Sequence, residues 1–373
     1  MVVADPGYGT RFWPVWRAAW RDHRAGDRRR ARARLGFLSP PEGRGRLIWI
    51  KAGASREALQ LGVELLGAVR DRRRDVRIVL TFERDDPDLL RALLRSWPRV
   101  GLGYGPSDRP RVVRRVLARF RPAGVLLAES APPETLLQRL SAPVAAIGTG
   151  PARTRVTAAW PLSATEYRVW QGSGAVQDLL PAADPQARFA EARADVVLRT
   201  LAGGGTRRLW WWHGDSAGWD AWWAHWRAAP LADDILLVSL EDGGAPATAT
   251  LAASSWDRRP LPGGTVVHLD DRRWWAAAAS AADGIHLAGA SRGALWQALA
   301  AGSAVSMGVS SPIADLPVSA LVQPERVLAH WQTLRGDTQR RRGLGDAARR
   351  RFWTERRQVD RNLAALMDRV WVW

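Results

Sequence analysis

The hydrophobic positions in the first half of the chain form short apolar runs, separated by segments with helical periodicity. The apolar runs are residues 47–50, 76–81, 100–102, 124–127 and 144–147. The helical patterns between them are residues 56–69, 87–94, 110–120 and 134–140. Strands that alternate with helices at this spacing predict a parallel β-sheet with helices on both of its faces.

The second half of the chain repeats this alternation after an irregular stretch. The apolar runs resume at residues 209–212, 235–238, 266–269, 284–287 and 304–308, and the last helical pattern covers residues 339–370. We therefore predict two α/β domains. The predicted divisions are a basic, tryptophan-containing segment over 1–45, a Rossmann-like domain over 46–165, a linker over 166–207, a second Rossmann-like domain over 208–338, and terminal helices over 339–373 that return to the first domain.

A group of tryptophans in the second half has the spacing of one helix face. Trp219, Trp222, Trp223 and Trp226 fall at positions i, i+3, i+4 and i+7. Such a stripe serves either core packing or the stacking of a sugar ring. The periodicity favours packing.

Composition restricts the chemistry. The chain of 373 residues has no cysteine, which excludes disulfides and thiolate catalysis, and its six histidines show no metal-ligand spacing, so we predict no metal. The formal net charge of +18 implies an anionic partner. We expect no nucleic acid as that partner, because the sequence has no aromatic RNA-binding signature, zinc finger or compact basic recognition helix.

The arginines are densest near the amino terminus. Between positions 11 and 46, Phe12, Trp13, Trp16 and Trp20 recur at helical spacing among eleven arginines. This pattern predicts either a helix lying on an anionic bilayer or a basic helix that docks its tryptophans on the protein body. The chain shows no convincing membrane span and no signal peptide, so we expect a cytoplasmic protein that is peripheral on the inner membrane.

One turn between a strand and a helix contains the only lysine of the chain. It follows residues 47–50 and contains Lys51, Ser55, Arg56 and Glu57. Ligands bind at the carboxyl ends of parallel strands, and a carboxylate in the first turn of a helix is stabilised as an anion by the helix dipole. Glu57 is therefore a candidate proton acceptor. Helix capping is the alternative that the pattern alone favours.

Two further turns have the same position relative to their strands. Glu129 is interpreted as a carboxylate at a ligand cleft or as a loop residue paired with an arginine. Gly289, Ser291, Arg292 and Gly293 precede a helical pattern, and their amide groups and guanidinium form a candidate anion site. The alternative is that these glycines serve only tight packing.

In their order along the chain these turns resemble those of the Kdo transferases, which attach 3-deoxy-D-manno-octulosonic acid (Kdo) to lipid A precursors. The similarity is best over residues 33–150. It is carried by RLGFLSPPEGRGRLIWIKAGASREAL at 34–59 and by YGPSDRPRVVRRVLARFRPAGVLLAES at 104–130. RRRGLGDAARRRFWTERRQVDRNLAAL at 340–366 is similar to the family's closing helices.

The resemblance implies the GT-B fold, with two Rossmann-like domains that face each other across a cleft. It places the acceptor in the first domain and the nucleotide-sugar donor in the second. Glu57 matches the family's catalytic base, Lys51 matches a histidine, and Glu129 falls near an acidic motif. The implied reaction is the inverting, metal-independent transfer of Kdo or a related sugar from CMP-Kdo to an anionic lipid A precursor, with no cofactor.

Several positions depart from the family pattern. Arg56 stands where the family has glycine, and WHGDSAGWD and SLEDGGA stand where the family's Ser-Thr-His and Pro-Arg-His segments are expected. Gln297 replaces a carboxylate that would bind a sugar hydroxyl. Because the donor motifs differ most, the alternative function is that of a non-catalytic homologue that binds an anionic lipid or a partner enzyme.

Overall fold

The chain folds into two α/β units. The computed structural model describes residues 6–91, 99–191, 197–203, 207–241, 243–289, 291–308 and 316–373. One unit comprises the chain up to Pro185 together with Gln358–Trp373, and the other comprises Gln186–Arg357. None of the helices in the described ranges combines the length and the apolar character that a membrane crossing demands.

The first unit starts with two helices and continues as a parallel sheet with helices between its strands. Its elements are α1 (Phe12–Arg24), α2 (Arg28–Arg34), β1 (Leu47–Ala52), α3 (Arg56–Arg72), β2 (Arg77–Phe82), α4 (Pro87–Arg91), β3 (Val100–Tyr104), α5 (Pro110–Phe120), β4 (Gly124–Ala128), α6 (Glu134–Arg139), β5 (Val144–Ile147), β6 (Val156–Trp160), α7 (Ala164–Ser173) and β7 (Val176–Leu179). Among the described residues the strand order is β3-β2-β1-β4-β5-β6-β7, and all pairs are parallel.

The core of the first unit explains the unbroken apolar runs. All six residues of β1 are buried, as expected for a central strand covered by helices on both faces. Trp49 packs edge-on against Phe120 of α5, with ring centroids 5.3 Å apart, and its indole nitrogen donates a 2.8 Å hydrogen bond to Thr81 Oγ1. The predicted sheet of the first half is confirmed.

Three boundaries differ from the predicted ones. β1 continues through Lys51 to Ala52, because Lys51 pairs with Thr81 of β2 and Leu127 of β4 and has an ionic partner inside the protein. The predicted linker over 166–207 contains most of α7 and the edge strand β7, whose four residues are too few to reveal a period. The predicted helix over 87–94 is helical to Arg91, and residues 92–94 lie outside the described residues.

The helix α1 turns a narrow apolar face inwards. Val15, Ala18 and Ala19 are buried, whereas the aromatic side chains on the rest of the helix are 43–63% exposed. The exposed side chains are Phe12, Trp13, Trp16 and Trp20. The sequence alternative in which these tryptophans dock on the protein body is therefore wrong.

The second unit repeats the architecture. Its elements are β8 (Leu209–Gly214), α8 (Ser216–Ala228), β9 (Ile235–Leu240), β10 (Leu251–Ala252), β11 (Val266–His268), α9 (Trp274–Ala281), β12 (Gly284–Leu287), α10 (Arg292–Ala301), β13 (Val305–Met307), β14 (Val318–Ala320), α11 (Pro324–Gly336) and the greater part of α12 (Thr338–Val372). Its described strands are parallel in the order β10-β11-β9-β8-β12-β13-β14.

Tryptophan dominates the core of the second unit. In α8, Trp219, Trp222 and Trp226 are buried, and their rings stack in succession at centroid distances of 5.8 and 5.5 Å. Trp331 of α11 stacks on Trp210 of β8 at 5.0 Å in the same core. The prediction that the helix stripe serves packing is confirmed.

The end of α12 belongs to the first unit. Asn362 donates a hydrogen bond to the Pro181 carbonyl at 2.8 Å, and Arg369 forms an ion pair with Asp178 of β7. The indole of Trp373 covers Gly124, where any side chain would collide with the ring. The terminal helix therefore closes the first sheet from one side.

Candidate functional site

The carboxyl edge of the first sheet is rich in ionisable side chains. Lys51 lies near the end of β1, Glu83 follows β2, Asp108 lies beyond β3, and Glu129 follows β4. Glu57 lies in the first turn of α3, which begins just after β1. Because carboxyl ends of neighbouring parallel strands meet at one edge, the sheet topology gathers these groups.

Lys51 is held by a buried ion pair. Its ammonium lies 2.8 Å from Glu83 Oε1, and both side chains are only 7% exposed. The Glu83 carbonyl accepts hydrogen bonds from the Tyr8 hydroxyl and from Arg30, each at 3.2 Å. The lysine predicted on the acceptor side is therefore engaged inside the sheet edge, where it fixes the position of the Glu83 carboxylate.

The turn after β1 presents Glu57 at the start of α3. Ser55 is the N-cap residue of the helix, and its hydroxyl accepts the amide hydrogen of Ala58 at 3.0 Å. Arg56 forms an ion pair with Asp86. Ser55 therefore occupies the N-cap position, and the partly buried Glu57 lies in the first turn, near the amide end of the helix.

Glu129 lies in a backbone conformation that L residues seldom adopt. Its φ is 47°, in the left-handed region, and its amide donates to the Ile147 carbonyl at 2.7 Å. The turn after β1 approaches this residue closely, because a side chain at Gly53 would collide with the Glu129 carbonyl. The two predicted turns are therefore packed together at this edge. Strained residues of this kind concentrate at functional sites.

Asp108 anchors the segment that follows Glu129. Its carboxylate accepts the amide hydrogens of Thr135 at 2.8 Å and Leu136 at 2.9 Å, in the first turn of α6. Burial raises the pKa of Asp108, while the two amide hydrogen bonds and the charge of Lys51 act in the opposite direction. Asp108 belongs to the segment at 104–130 that resembles the Kdo transferases, and its contacts position the first turn of α6.

The second predicted site lies at the carboxyl edge of the second sheet. Ser291 is the N-cap residue of α10, and its hydroxyl accepts the amide hydrogen of Ala294 at 3.4 Å. Arg292 and Gly293 form the first helical turn and are partly buried, and Gly289 follows β12. The predicted strand–turn–helix arrangement is present around these residues.

Gln297 is engaged with the backbone of its own unit. Its amide oxygen accepts from the Glu191 amide at 3.1 Å, and its amide nitrogen donates to the Glu191 carbonyl at 2.9 Å. The side chain is buried among α10 residues. Both polar ends are thus used structurally, which differs from the predicted contact with a donor sugar.

A histidine and a glutamate complete the second edge. His213, at the end of β8, contacts Ser239 Oγ through Nδ1 at 2.8 Å, and its Nε2 lies 3.6 Å from Glu241. Burial, with the positive charge of Arg272, lowers the pKa of His213 to about 4. A side chain at Gly289 would collide with the Glu241 carboxylate, so Glu241 lies directly beside the predicted donor turn.

Sequence reasoning missed the internal partners of the predicted residues. Glu83 immediately follows an apolar run, as Glu129 does, and that position was a usable signal. Neither the pairing of Lys51 with Glu83 nor the engagement of Gln297 by Glu191 had a signal in the sequence, because both depend on residues distant along the chain.

The first unit matches a known family. Residues 29–155 match the family model Glycos_transf_N, described as 3-deoxy-D-manno-octulosonic-acid transferase (kdotransferase). These residues contain the whole carboxyl edge described above, from Lys51 to Glu129. No curated protein sequence is significantly similar to the chain.

Solved structures show the same architecture over almost the whole chain. Sucrose-phosphate synthase from Thermosynechococcus elongatus has a TM-score of 0.55 at 12% identity, covering 88% of this chain and 100% of its own. Phytolacca americana UGT2, solved with UDP-2-fluoroglucose and pterostilbene, has a TM-score of 0.52 at 10% identity and covers 89% and 99%. The UDP-GlcNAc 2-epimerase from Neisseria meningitidis, solved with UDP-GlcNAc, has 0.51 at 10% identity and covers 87% and 100%.

The fold is therefore the GT-B fold of glycosyltransferases and nucleotide-sugar epimerases, as the sequence predicted. Within that class, residues 29–155 of the chain match the family model of the Kdo transferases.

Proposed function

We propose that the protein is an inverting glycosyltransferase that transfers Kdo or a related sugar from CMP-Kdo to a lipid A precursor, with Glu57 as the general base. The observation that carries the proposal is the position of Glu57 in the first turn of α3. This turn lies within the region that matches the Kdo transferase family and packs on the strained turn of Glu129.

The proposed reaction is a single displacement. The Glu57 carboxylate takes the proton from an acceptor hydroxyl as its oxygen bonds to the anomeric carbon of the donor sugar. The bond from that carbon to the phosphate oxygen breaks, and CMP leaves with the electron pair. A carboxylate at a helix start is suited to this step because the helix dipole favours its ionised form.

The other residues of this edge act on the position of the base. The Lys51–Glu83 pair stabilises the end of β1, and Ser55 caps α3. The guanidinium of Arg56 is held by an ion pair with Asp86, which lies beyond β2. We assign these residues positioning roles, with Glu129 as the second carboxylate of the acceptor side.

The surface of α1 supports an acceptor that is embedded in a membrane. The exposed aromatic side chains of α1 lie among arginines, and Arg24 lies 3.7 Å above the ring of Trp20. Interfacial helices combine aromatic and basic residues in this way, and each arginine near an anionic leaflet contributes about 1 kcal/mol. We therefore propose that the protein binds peripherally to the cytoplasmic face of the inner membrane.

A second candidate function is a non-catalytic homologue that binds an anionic lipid or a partner enzyme. Two observations favour it. The Glu241 carboxylate lies beside Gly289 of the predicted donor turn, and both polar ends of the Gln297 side chain are engaged by the Glu191 backbone.

The two functions separate in an assay with CMP-Kdo and a lipid A precursor in anionic vesicles. We expect the wild-type protein to bind CMP-Kdo and form product. Glu57→Gln should lower the rate by about 10²- to 10⁴-fold, because it removes the proton acceptor, while donor binding persists. Glu64→Gln, two turns along α3, is the matched control and should keep the wild-type rate.

Either of two results would contradict the catalytic proposal. One is the absence of CMP-Kdo binding at millimolar concentration, which would favour the non-catalytic homologue. The other is a Glu57→Gln variant that keeps the wild-type rate, which would remove Glu57 as the base even if transfer occurs.

A further inference from the structure

A cavity of about 510 Å³ lies at the amino-terminal edge of the second sheet. It is bordered by the starts of β8, β12 and β13 and by the first turns of α12. The predicted donor turn follows the carboxyl end of β12, so this cavity lies at the opposite end of the same strand. The proposed transfer reaction gives it no role.

Arginine provides most of the charge around this cavity. Two aspartates, Asp283 and Asp346, also line it. The arginines of the lining are Arg199, Arg207, Arg208, Arg341, Arg342 and Arg349. Six guanidinium groups and two carboxylates leave a formal excess of four positive charges around the cavity.

Neutral carbonyl groups hold several of these arginines in place. Arg199 donates to the Ser280 carbonyl at 3.0 and 3.3 Å, in the last turn of α9. Arg349 donates to the Ala301 carbonyl at 3.1 Å, at the end of α10, and Arg207 donates to Leu261 at 2.9 Å. Capping of this kind orients the guanidinium groups, but a carbonyl does not neutralise their charge.

The aspartates balance only part of that charge. Asp283 lies 3.6 Å from Arg208 and 3.4 Å from Arg341, so one carboxylate is shared between two guanidinium groups. Asp346 lies 3.5 Å from Arg349 on the exposed surface of α12. The guanidinium of Arg342 has no hydrogen bond or ion pair with any residue in the described part of the chain.

We infer that this cavity is a binding site for a diphosphate group. Each guanidinium presents a planar fork of N–H donors that matches two phosphate oxygens, and oriented arginines lose little freedom when they bind. A terminal diphosphate carries about three negative charges at neutral pH, and the lining has enough positive charge to balance them. An anion would also relieve the mutual repulsion of arginines that are brought together here by α12 and by the segment before β8.

The size of the cavity is consistent with a small ligand. Small-molecule sites have volumes of roughly 300 to 1,000 Å³, so the cavity accommodates a diphosphate with an attached nucleoside. A diphosphate on a lipid has the same charged group, and binding measurements with a soluble and a membrane-bound form distinguish the two sources.

The test is isothermal titration calorimetry of the whole protein with inorganic pyrophosphate. We expect one site per chain, with an affinity that falls as the salt concentration rises. The double variant Arg342→Gln/Arg349→Gln should weaken binding by about tenfold or more, since it removes two charge-assisted contacts. Arg350→Gln is the control: it makes the same change as Arg349→Gln, one residue further along α12 and outside the cavity lining.

Two results would overturn the inference. One is the absence of pyrophosphate binding at millimolar concentration, and the other is an equal loss of affinity in the control variant, which would indicate a general effect of net charge. If the double variant does not fold, the single variant Arg342→Gln is measured instead, because an exposed side chain can be replaced without loss of the fold. We expect this variant to bind pyrophosphate about threefold more weakly.

With the site established by pyrophosphate, the ligand source follows from competition. Displacement of bound pyrophosphate by a nucleoside diphosphate in the wild type and in Arg350→Gln, but not in the double variant, would identify a soluble ligand. Displacement only by vesicles that contain a diphosphate lipid would identify a membrane ligand. Displacement by neither would restrict the site to the inorganic ion and contradict the larger ligand.

Discussion

The carboxyl edges of the two sheets have opposite electrostatic designs. In the first, Lys51 and Glu83 form a buried ion pair, and Asp108 binds two helix amide groups. In the second, His213 is buried as a neutral ring against Ser239. Two parallel sheets therefore hold these buried groups differently: Lys51 by an ion pair in one, and His213 by a hydrogen bond between neutral side chains in the other.

The difference follows the extent of the match to the Kdo transferase family model. The first edge lies within the matched residues 29–155, and its charged side chains hold one another in place through ion pairs. The second edge lies outside that match, in a unit whose core is dominated by stacked tryptophans. Preorganised charge makes a site effective without reorganisation, so the first edge is the better equipped of the two for chemistry.

The largest expected effect comes from breaking the buried pair of the first edge. Lys51→Met leaves the Glu83 carboxylate buried without its partner, and we expect a loss of about 3–5 kcal/mol in the free energy of unfolding. The measurement is urea unfolding followed by circular dichroism. The double variant Lys51→Met/Glu83→Leu should recover most of the loss, because no uncompensated charge remains.

A matched control comes from an exposed ion pair of the same unit. Arg72 pairs with Asp368, and their side chains are 43% and 72% exposed. Arg72→Met should cost less than about 1 kcal/mol, since water already solvates both charges. Equal losses for Lys51→Met and Arg72→Met would show that the first edge does not depend on its buried charge.

A smaller effect is expected when the histidine of the second edge is protonated. The pKa of His213 is about 4 in the folded protein and about 6.5 when exposed. The unfolded chain therefore binds more protons between these values, so the stabilisation is fully present above pH 6.5 and is lost as the pH falls towards 4. At pH 5 we expect a loss of about 2 kcal/mol from this group, measured by urea unfolding at pH 7 and pH 5.

His213→Gln isolates that contribution, because glutamine does not titrate. His286 is also buried with a pKa lowered to about 4, so the variant should retain part of the pH dependence and lose the part due to His213. An unchanged pH dependence in His213→Gln would contradict the neutral design of the second edge.

The sequence predicted the two parallel sheets because buried parallel strands require unbroken apolar runs, which local patterns reveal. It did not predict the edge strand β7, whose Val-Gln-Asp-Leu segment lacks such a run. It assigned Lys51 to a turn because a lone charge normally ends a strand. The burial of Lys51 depends on Glu83, 32 residues away, and no local pattern reports such a partner.

The candidate site was predictable to a similar degree. Helix starts and strand ends identified Glu57, Glu129 and Ser291, since capping and strand termination are local properties. The engagement of Gln297 by Glu191, across 106 residues, and the position of Glu241 beside Gly289 arise from tertiary packing. These are contacts that single-sequence patterns do not contain.

The smallest effect on stability is expected from the strained residue of the first edge. Glu129 and Arg121 both have a positive φ, of 47° and 44°, but Arg121 ends α5 away from the carboxyl edge. Glycine adopts this conformation freely, so Arg121→Gly should raise the free energy of unfolding by about 1 kcal/mol. Glu129→Gly should leave stability within about 1 kcal/mol of the wild type, because relief of strain offsets the loss of side-chain packing.

The activity of these two variants then separates strain with a function from strain without one. If the conformation of Glu129 serves to hold a carboxylate at the acceptor side, Glu129→Gly should lower the transfer rate while Arg121→Gly keeps it. Equal transfer rates in both variants would show that the Glu129 carboxylate has no role in transfer. The positive φ of Glu129 would then reflect only the close packing of Gly53 against its carbonyl. The first edge would then owe its function to Glu57 and its buried pair, without a second carboxylate.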